Sequence, residues 1–166
     1  MLMPKSNTIL LAEGDRTADL SELEAARVAA DAVLRAALEC CHQHDRYARL
    51  VTRPALEAEH RAADETCSVV ANALAQMVET YGEAAKGLRP NGGPDEDWWH
   101  RANALWHASR EFARRQTCGE RPARGPAKHD PEALADLIVQ YDLEASALLA
   151  LRQAADAYRK VRPEAW

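Results

Sequence analysis

The sequence offers little from which to build a β-sheet. Its 166 residues include one phenylalanine and few isoleucines or threonines, the branched and aromatic residues that suit a pleated surface. A strand-rich fold is therefore excluded. Long apolar runs are also missing. Near the start, Ile9-Leu10-Leu11-Ala12 is soon followed by Glu13 and Asp15, too short a run for the core of a signal peptide. No stretch approaches the ~20 apolar residues of a membrane span. Four cysteines, Cys40, Cys41, Cys67 and Cys118, do not make a disulfide scaffold in a chain of this length. Cys40 and Cys41 would leave a helix about 100° apart, poorly placed to pair with each other. These absences point to a soluble protein in a reducing cytoplasm.

Alanine is what the chain has in quantity. Hydrophobic residues make up 47% of it, and many are alanine, the strongest helix former because it loses no side-chain entropy. A core of Ala and Leu lets helices approach closely, as bundles require. The fold expected is all-α, a single antiparallel up-down-up-down four-helix bundle. A net charge of −5 argues against a nucleic-acid binder, whose affinity rests on neutralising phosphates. The charge is uneven: His100 to Lys128 holds seven Arg or Lys against two Glu, a local +5 that leaves −10 elsewhere. Such a basic segment suits an acidic partner.

Residues 1–18 read as an irregular arm, followed by helices over about 19–52, 54–86, 95–117 and 131–161 of one domain, 19–162. In the first, Asp19 and Glu22 form a capping-box pattern. Leu23, Ala26, Ala30, Val33, Leu34, Ala37, Cys41 and His44 repeat on one face at a period near 3.6. Pro54 suits the first turn of the second helix. That helix carries two heptad seams, Leu56, Ala63, Val70, Met77, Ala84 and His60, Cys67, Leu74, Tyr81, Leu88. Gly87 and the run Pro90-Asn91-Gly92-Gly93-Pro94 stop it. Asp95 is the expected cap of the third helix, whose inner face reads Trp98, Ala102, Leu105, Ser109, Phe112. A connector from Cys118 to Asp130 leads to Pro131, and the fourth helix places Leu134, Tyr141, Leu148, Ala155 beside Leu137, Glu144, Leu151, Tyr158.

Two places could carry chemistry. If the first two helices fold back around Arg53, Cys41-x-x-His44 comes to face Glu57-x-x-His60. A thiolate, two imidazoles and a carboxylate are ligands that zinc or another divalent transition metal takes. The alternative is plain burial of small thiols and hydrogen-bonded imidazoles. In the third helix, three of four tryptophans cluster as Trp98, Trp99 and Trp106. Trp99 and Trp106, with Arg110 and Arg114, have the composition of an interface hot spot. Glu144, on a leucine seam, needs water at the seam's edge or a partner such as Arg27, Arg35 or a histidine.

Short resemblances accompany these features. Glu57-x-x-His60 resembles the Glu-x-x-His element of ferritin-like di-metal carboxylate proteins, although the fourth helix supplies no histidine for the second such element. His107-x-x-x-Glu111 is similar to one element of the hemerythrin pattern. Arg101 and His107 resemble the Arg…His spacing of HEPN-type helical ribonucleases, which implies RNA cleavage. No Ser-His-Asp arrangement, P-loop or dinucleotide fingerprint is present. The reading is a helical-bundle interaction or regulatory protein more than an enzyme. It self-associates or binds an acidic protein partner through the third helix and following loop, with neither membrane nor nucleic acid as partner. The alternatives are a zinc-type metal-binding bundle, then a HEPN-like ribonuclease.

Overall fold

The computed structural model describes residues 7–52, 54, 56–88, 93–117 and 131–164, with side chains from Ser21 onward except that of Ala133. It has four helices, α1 (Asn7–Val51), α2 (Glu57–Ala84), α3 (Pro94–Thr117) and α4 (Pro131–Val161), and no strand among the described residues. α1 packs against each of the other three, α3 packs against both α2 and α4, and among the described residues α2 does not meet α4. Among the described residues no helix is long and apolar enough to cross a membrane.

Two helix starts differ from expectation. α1 begins at Asn7, so residues expected to be irregular through 18 are helical from that point. Extending a helix costs far less than nucleating one, and a single Gly14 costs only about 1 kcal/mol relative to alanine. α2 opens at Glu57, three residues after Pro54. Leu56 is extended, with φ −67° and ψ 147°, and its carbonyl accepts the Glu59 and His60 N–H groups at 2.9 and 3.2 Å. Glu57 and Glu59 in the first turn suit the positive end of the helix.

The other ends follow local chemistry closely. Gly87, at φ +80°, lies just past the end of α2, where left-handed backbone disfavours any residue with a Cβ. Gly93, at φ +73°, turns the chain into Pro94. That proline opens α3 one residue before the expected cap, where its missing N–H costs nothing. Asp95 instead bonds Arg27 of α1, whose guanidinium also lies 5.6 Å from the Trp98 ring centre. The connector from Cys118 to Asp130 lies outside the described residues.

Small side chains form much of the core. Ala26, Ala29, Ala30 and Ala37 of α1 are buried around Val33 and Leu34. On α2 the buried set is Cys67, Ala71, Leu74, Val78, Tyr81 and Ala85. Cys67, Leu74 and Tyr81 belong to the second expected seam, while Ala71, Val78 and Ala85 stand one residue past Val70, Met77 and Ala84 of the first. Leu56 is accordingly exposed, and Val70 and Met77 only half-buried. α3 buries all five residues of its expected inner face. Among its described residues α4 buries Ala147, Leu151, Ala155 and Tyr158, all in its second half.

One polar network crosses this core. The buried Asp31 carboxylate accepts the Tyr158 hydroxyl at 2.6 Å and Arg162 Nη2 at 2.7 Å. Trp98 Nε1 donates to the same tyrosine oxygen at 3.1 Å. Burial, then the bond to the Asp31 anion, pushes the Tyr158 phenol far above its ordinary range. The phenol stays protonated and therefore remains a donor to Asp31.

Tyr158→Phe removes both bonds of that hydroxyl and should lower unfolding stability by about 1–3 kcal/mol in urea titrations. Ser109 offers the contrast, because its buried hydroxyl has no hydrogen-bond partner among the described residues. Ser109→Ala should be neutral or stabilising in the same measurement. A destabilisation matching that of Tyr158→Phe would mean the hydroxyl is in fact engaged.

Candidate interaction surface

The expected metal ligands do not come together. Cys41 and His44 are buried, while Glu57 has a side chain 90% exposed and pairs with Arg61 at 3.2 Å. His60 is half-buried. Among the described residues no three His, Cys, Asp or Glu are grouped to hold a metal ion. The reason lies in which face of α1 meets α2. Near the turn, Gln43, Arg46 and Leu50 share a groove with Glu59, Ala62, Ala63 and Thr66. A residue one place along a helix is rotated by about 100°, so His44 looks elsewhere.

The thiols are also poor candidates for ligation. Burial, with Cys41 and Cys67 nearby, pushes Cys40 up to about 12, and its Sγ–H donates to the Val70 carbonyl at 3.3 Å. Burial raises Cys41 as well, opposed by Arg152. Thiolate is the form that binds metal, and both sites disfavour it.

His44 faces α3 and α4. Its ring meets Phe112 edge-on, with centres 5.2 Å apart, and its Nδ1 lies 4.0 Å from Glu144 Oε1. Glu144 thus has a histidine partner, one of the outcomes its place on a leucine seam anticipates.

On α3 the expected interface residues are largely engaged within the chain. Trp98 is buried, and Trp99 and Trp106 are half-buried. Trp106 Nε1 donates to the Val78 carbonyl at 2.9 Å, and Arg110 lies over its ring at 5.4 Å. Arg114 bonds both Glu111 oxygens at 3.3 Å. A groove of about 700 Å³ remains beside them, with Arg110 and Arg114 on the α3 wall and Glu79 and Glu83 on the α2 wall. Arg101 turns to Asp97 and the Ala157 carbonyl, whereas His107 is exposed and lies against Trp106, ring centres 4.7 Å apart and planes tilted by 60°. The Arg101–His107 pair therefore splits between different neighbours.

A second groove, of about 750 Å³, lies between the end of α1 and the first half of α4. Tyr47, Ala48 and Val51 line it from α1, and Tyr141, Ala145 and Leu148 from α4, with His44, Asp45 and Glu144 among them. Arg152 holds Asp45 through two bonds of 2.6 and 3.1 Å. That guanidinium keeps the Asp45 carboxyl below its usual range. Alongside runs an apolar stripe, with Leu134 49%, Ile138 54%, Tyr141 41% and Leu149 55% exposed. With Ala145, these residues fall within an arc of about 80° on the helix. From Pro131 to Leu151 the acids are Glu132, Asp136, Asp142 and Glu144, and there is no Lys, Arg or His. The sequence pattern contains this stripe, since Leu134 and Tyr141 repeat at seven, but the pattern assigns them to the interior.

Comparison with protein-family models, curated proteins and solved structures gives no match to this chain.

The Asp45–Arg152 pair has a definite pH signature. A carboxylate whose folded pKa is depressed stabilises above its unfolded value of ~3.9 and loses that contribution as pH falls through the folded value. Asp45 is half-exposed, so solvent limits the pair to about 1 kcal/mol or less. The stability gap between wild type and Asp45→Asn should be full at neutral pH and close below about pH 4. A gap independent of pH would show that the two residues do not act as an ion pair.

Proposed function

We propose that this chain is a cytoplasmic interaction or regulatory protein, an antiparallel up-down-up-down four-helix bundle that docks a protein partner on the first half of α4. The observation that carries the reading is the exposed stripe of Leu134, Ile138, Tyr141 and Leu149. Scattered exposed apolar residues are ordinary, but a contiguous set on one helix face marks an interaction site.

Cross-helix pairs support the topology. Asp31 with Arg162 and Asp45 with Arg152 run in opposite senses along α1 and α4, as do Trp98 with Tyr158 and Arg101 with Ala157 along α3 and α4. Counting back in step, Thr117 lies level with roughly residue 140 of α4 at equal rise per residue. On that register the opening turns of α4 run past the last described turn of α3. The groove on α3 is the weaker surface, because Trp106, Arg110 and Arg114 already have partners within the chain.

Sedimentation velocity and native mass tests this. The wild-type chain should associate with a second copy or with a protein partner. Leu134→Asp combined with Ile138→Asp should weaken association at least about tenfold, as loss of interface anchors does, with the helical circular dichroism unchanged. Association that survives these changes and falls with Trp99→Ala would move the surface to α3.

A further inference from the structure

The histidine lining the groove between α1 and α4 is placed to act on α4 through its own protonation. We infer that His44 and Glu144 form a proton-operated latch. The imidazolium ties the early turns of α4 to α1, and loss of its proton near neutral pH releases them. The latch goes beyond the docking role of α4 and does not depend on it.

Three observations lead to it. His44 stands where three helices meet, its ring edge-on to Phe112 of α3 and its Nδ1 4.0 Å from Glu144 Oε1 of α4. Both side chains are withdrawn from solvent, 8% and 16% exposed, so their interaction is screened far less than that of a surface pair. The pair also sits on the part of α4 that little else holds, since no described residue before Ala147 is buried. A modest change in free energy at Glu144 therefore acts on the turns that open most readily.

The surroundings set the direction. On α1, Cys41 lies one turn before His44, Tyr47 lines the same groove, and the adjacent Asp45 is held by Arg152 of α4 through two bonds. From α4 the other titratable side chain in the groove is Tyr141. α3 presents Phe112, and its Arg115 is bonded to Glu111. Glu59 of α2 belongs to the separate groove of Gln43 and Arg46. An imidazolium facing the Glu144 carboxylate gains an ion pair that the neutral ring lacks. A histidine that gains such a partner on folding contributes stability below its unfolded pKa of ~6.5, and loses it as pH rises through the folded value. Carboxyl groups ordinarily ionise well below that window. The latch is closed on the acid side and open on the alkaline side.

The test uses the full chain with its Glu144→Gln and His44→Gln variants, between about pH 5.5 and 7.5. Proton NMR follows the His44 ring, identified by its absence from His44→Gln. Glu144→Gln should weaken the hold of that ring on its proton about tenfold, the effect of removing one close opposite charge. Amide exchange, corrected for its intrinsic pH dependence, should show the turns from Leu134 to Ser146 better protected at the acid end by about threefold or more. In His44→Gln that difference should vanish, while the turns after Ala147 behave alike in both proteins. A His44 titration indifferent to Glu144→Gln overturns the latch, and this arm stands even if His44→Gln folds poorly. A ring still neutral at about pH 5.5 overturns it as well. So does protection of the early turns that keeps its pH dependence in His44→Gln, or that grows as pH rises.

Discussion

The arrangement depends on how close the other helices can come to α1. Its inner face presents Ala26, Ala29, Ala30 and Ala37, all buried, and methyl groups of that size permit short interaxial distances. α1 can therefore contact α2, α3 and α4. Close approach also brings long side chains within reach of fixed points on α1. Asp31 receives Tyr158 and Arg162 of α4, and fourteen residues further along, Asp45 receives Arg152. At 3.6 residues per turn that separation is close to four full turns. Both carboxylates thus project from one edge of α1 and hold α4 at two heights.

These two clamps differ in character. Asp31 is buried, and its partners complete a shared network with Trp98. Removing one member leaves a desolvated group behind, the costly situation for buried polar networks. Asp45 is half-exposed beside a groove, so its pairing is screened and contributes less. The core end of α4 is fixed by geometry and the groove end by weaker electrostatics.

Most helix ends were legible in the sequence because they are chemical: Gly87 past the end of α2, and Pro94 and Pro131 at the starts of α3 and α4, each impose a backbone condition that no packing is needed to read. The start of α1 was not, because no stop residue separates residues 7–18 from the helix that follows, and helix extension is decided by cooperativity. Faces were harder than ends. On α2 one heptad, Cys67, Leu74 and Tyr81, is buried and the other is displaced by one residue to Ala71, Val78 and Ala85, and on α1 a rotation of one residue decides whether His44 meets α2 or Phe112. The zinc-type site failed on that rotation. That Glu144 needs water or a partner was legible, but which of water, Arg27, Arg35 or a histidine it meets was not. The uncovered stripe on α4 was not, because amphipathic periodicity is the same for a helix facing its own core and one facing a partner.

One consequence concerns α4 as a single element. Its second half is tied to the core at Leu151, Ala155 and Tyr158, while its first half buries no described residue before Ala147. Backbone hydrogen bonds within one continuous helix therefore open by different routes, by fraying at one end and by global unfolding at the other. Amide exchange should form a gradient along α4 with its break near Ala147. A ligand that covers the early turns shifts that break toward Pro131, so the protection profile of one helix reports occupancy without any change of fold.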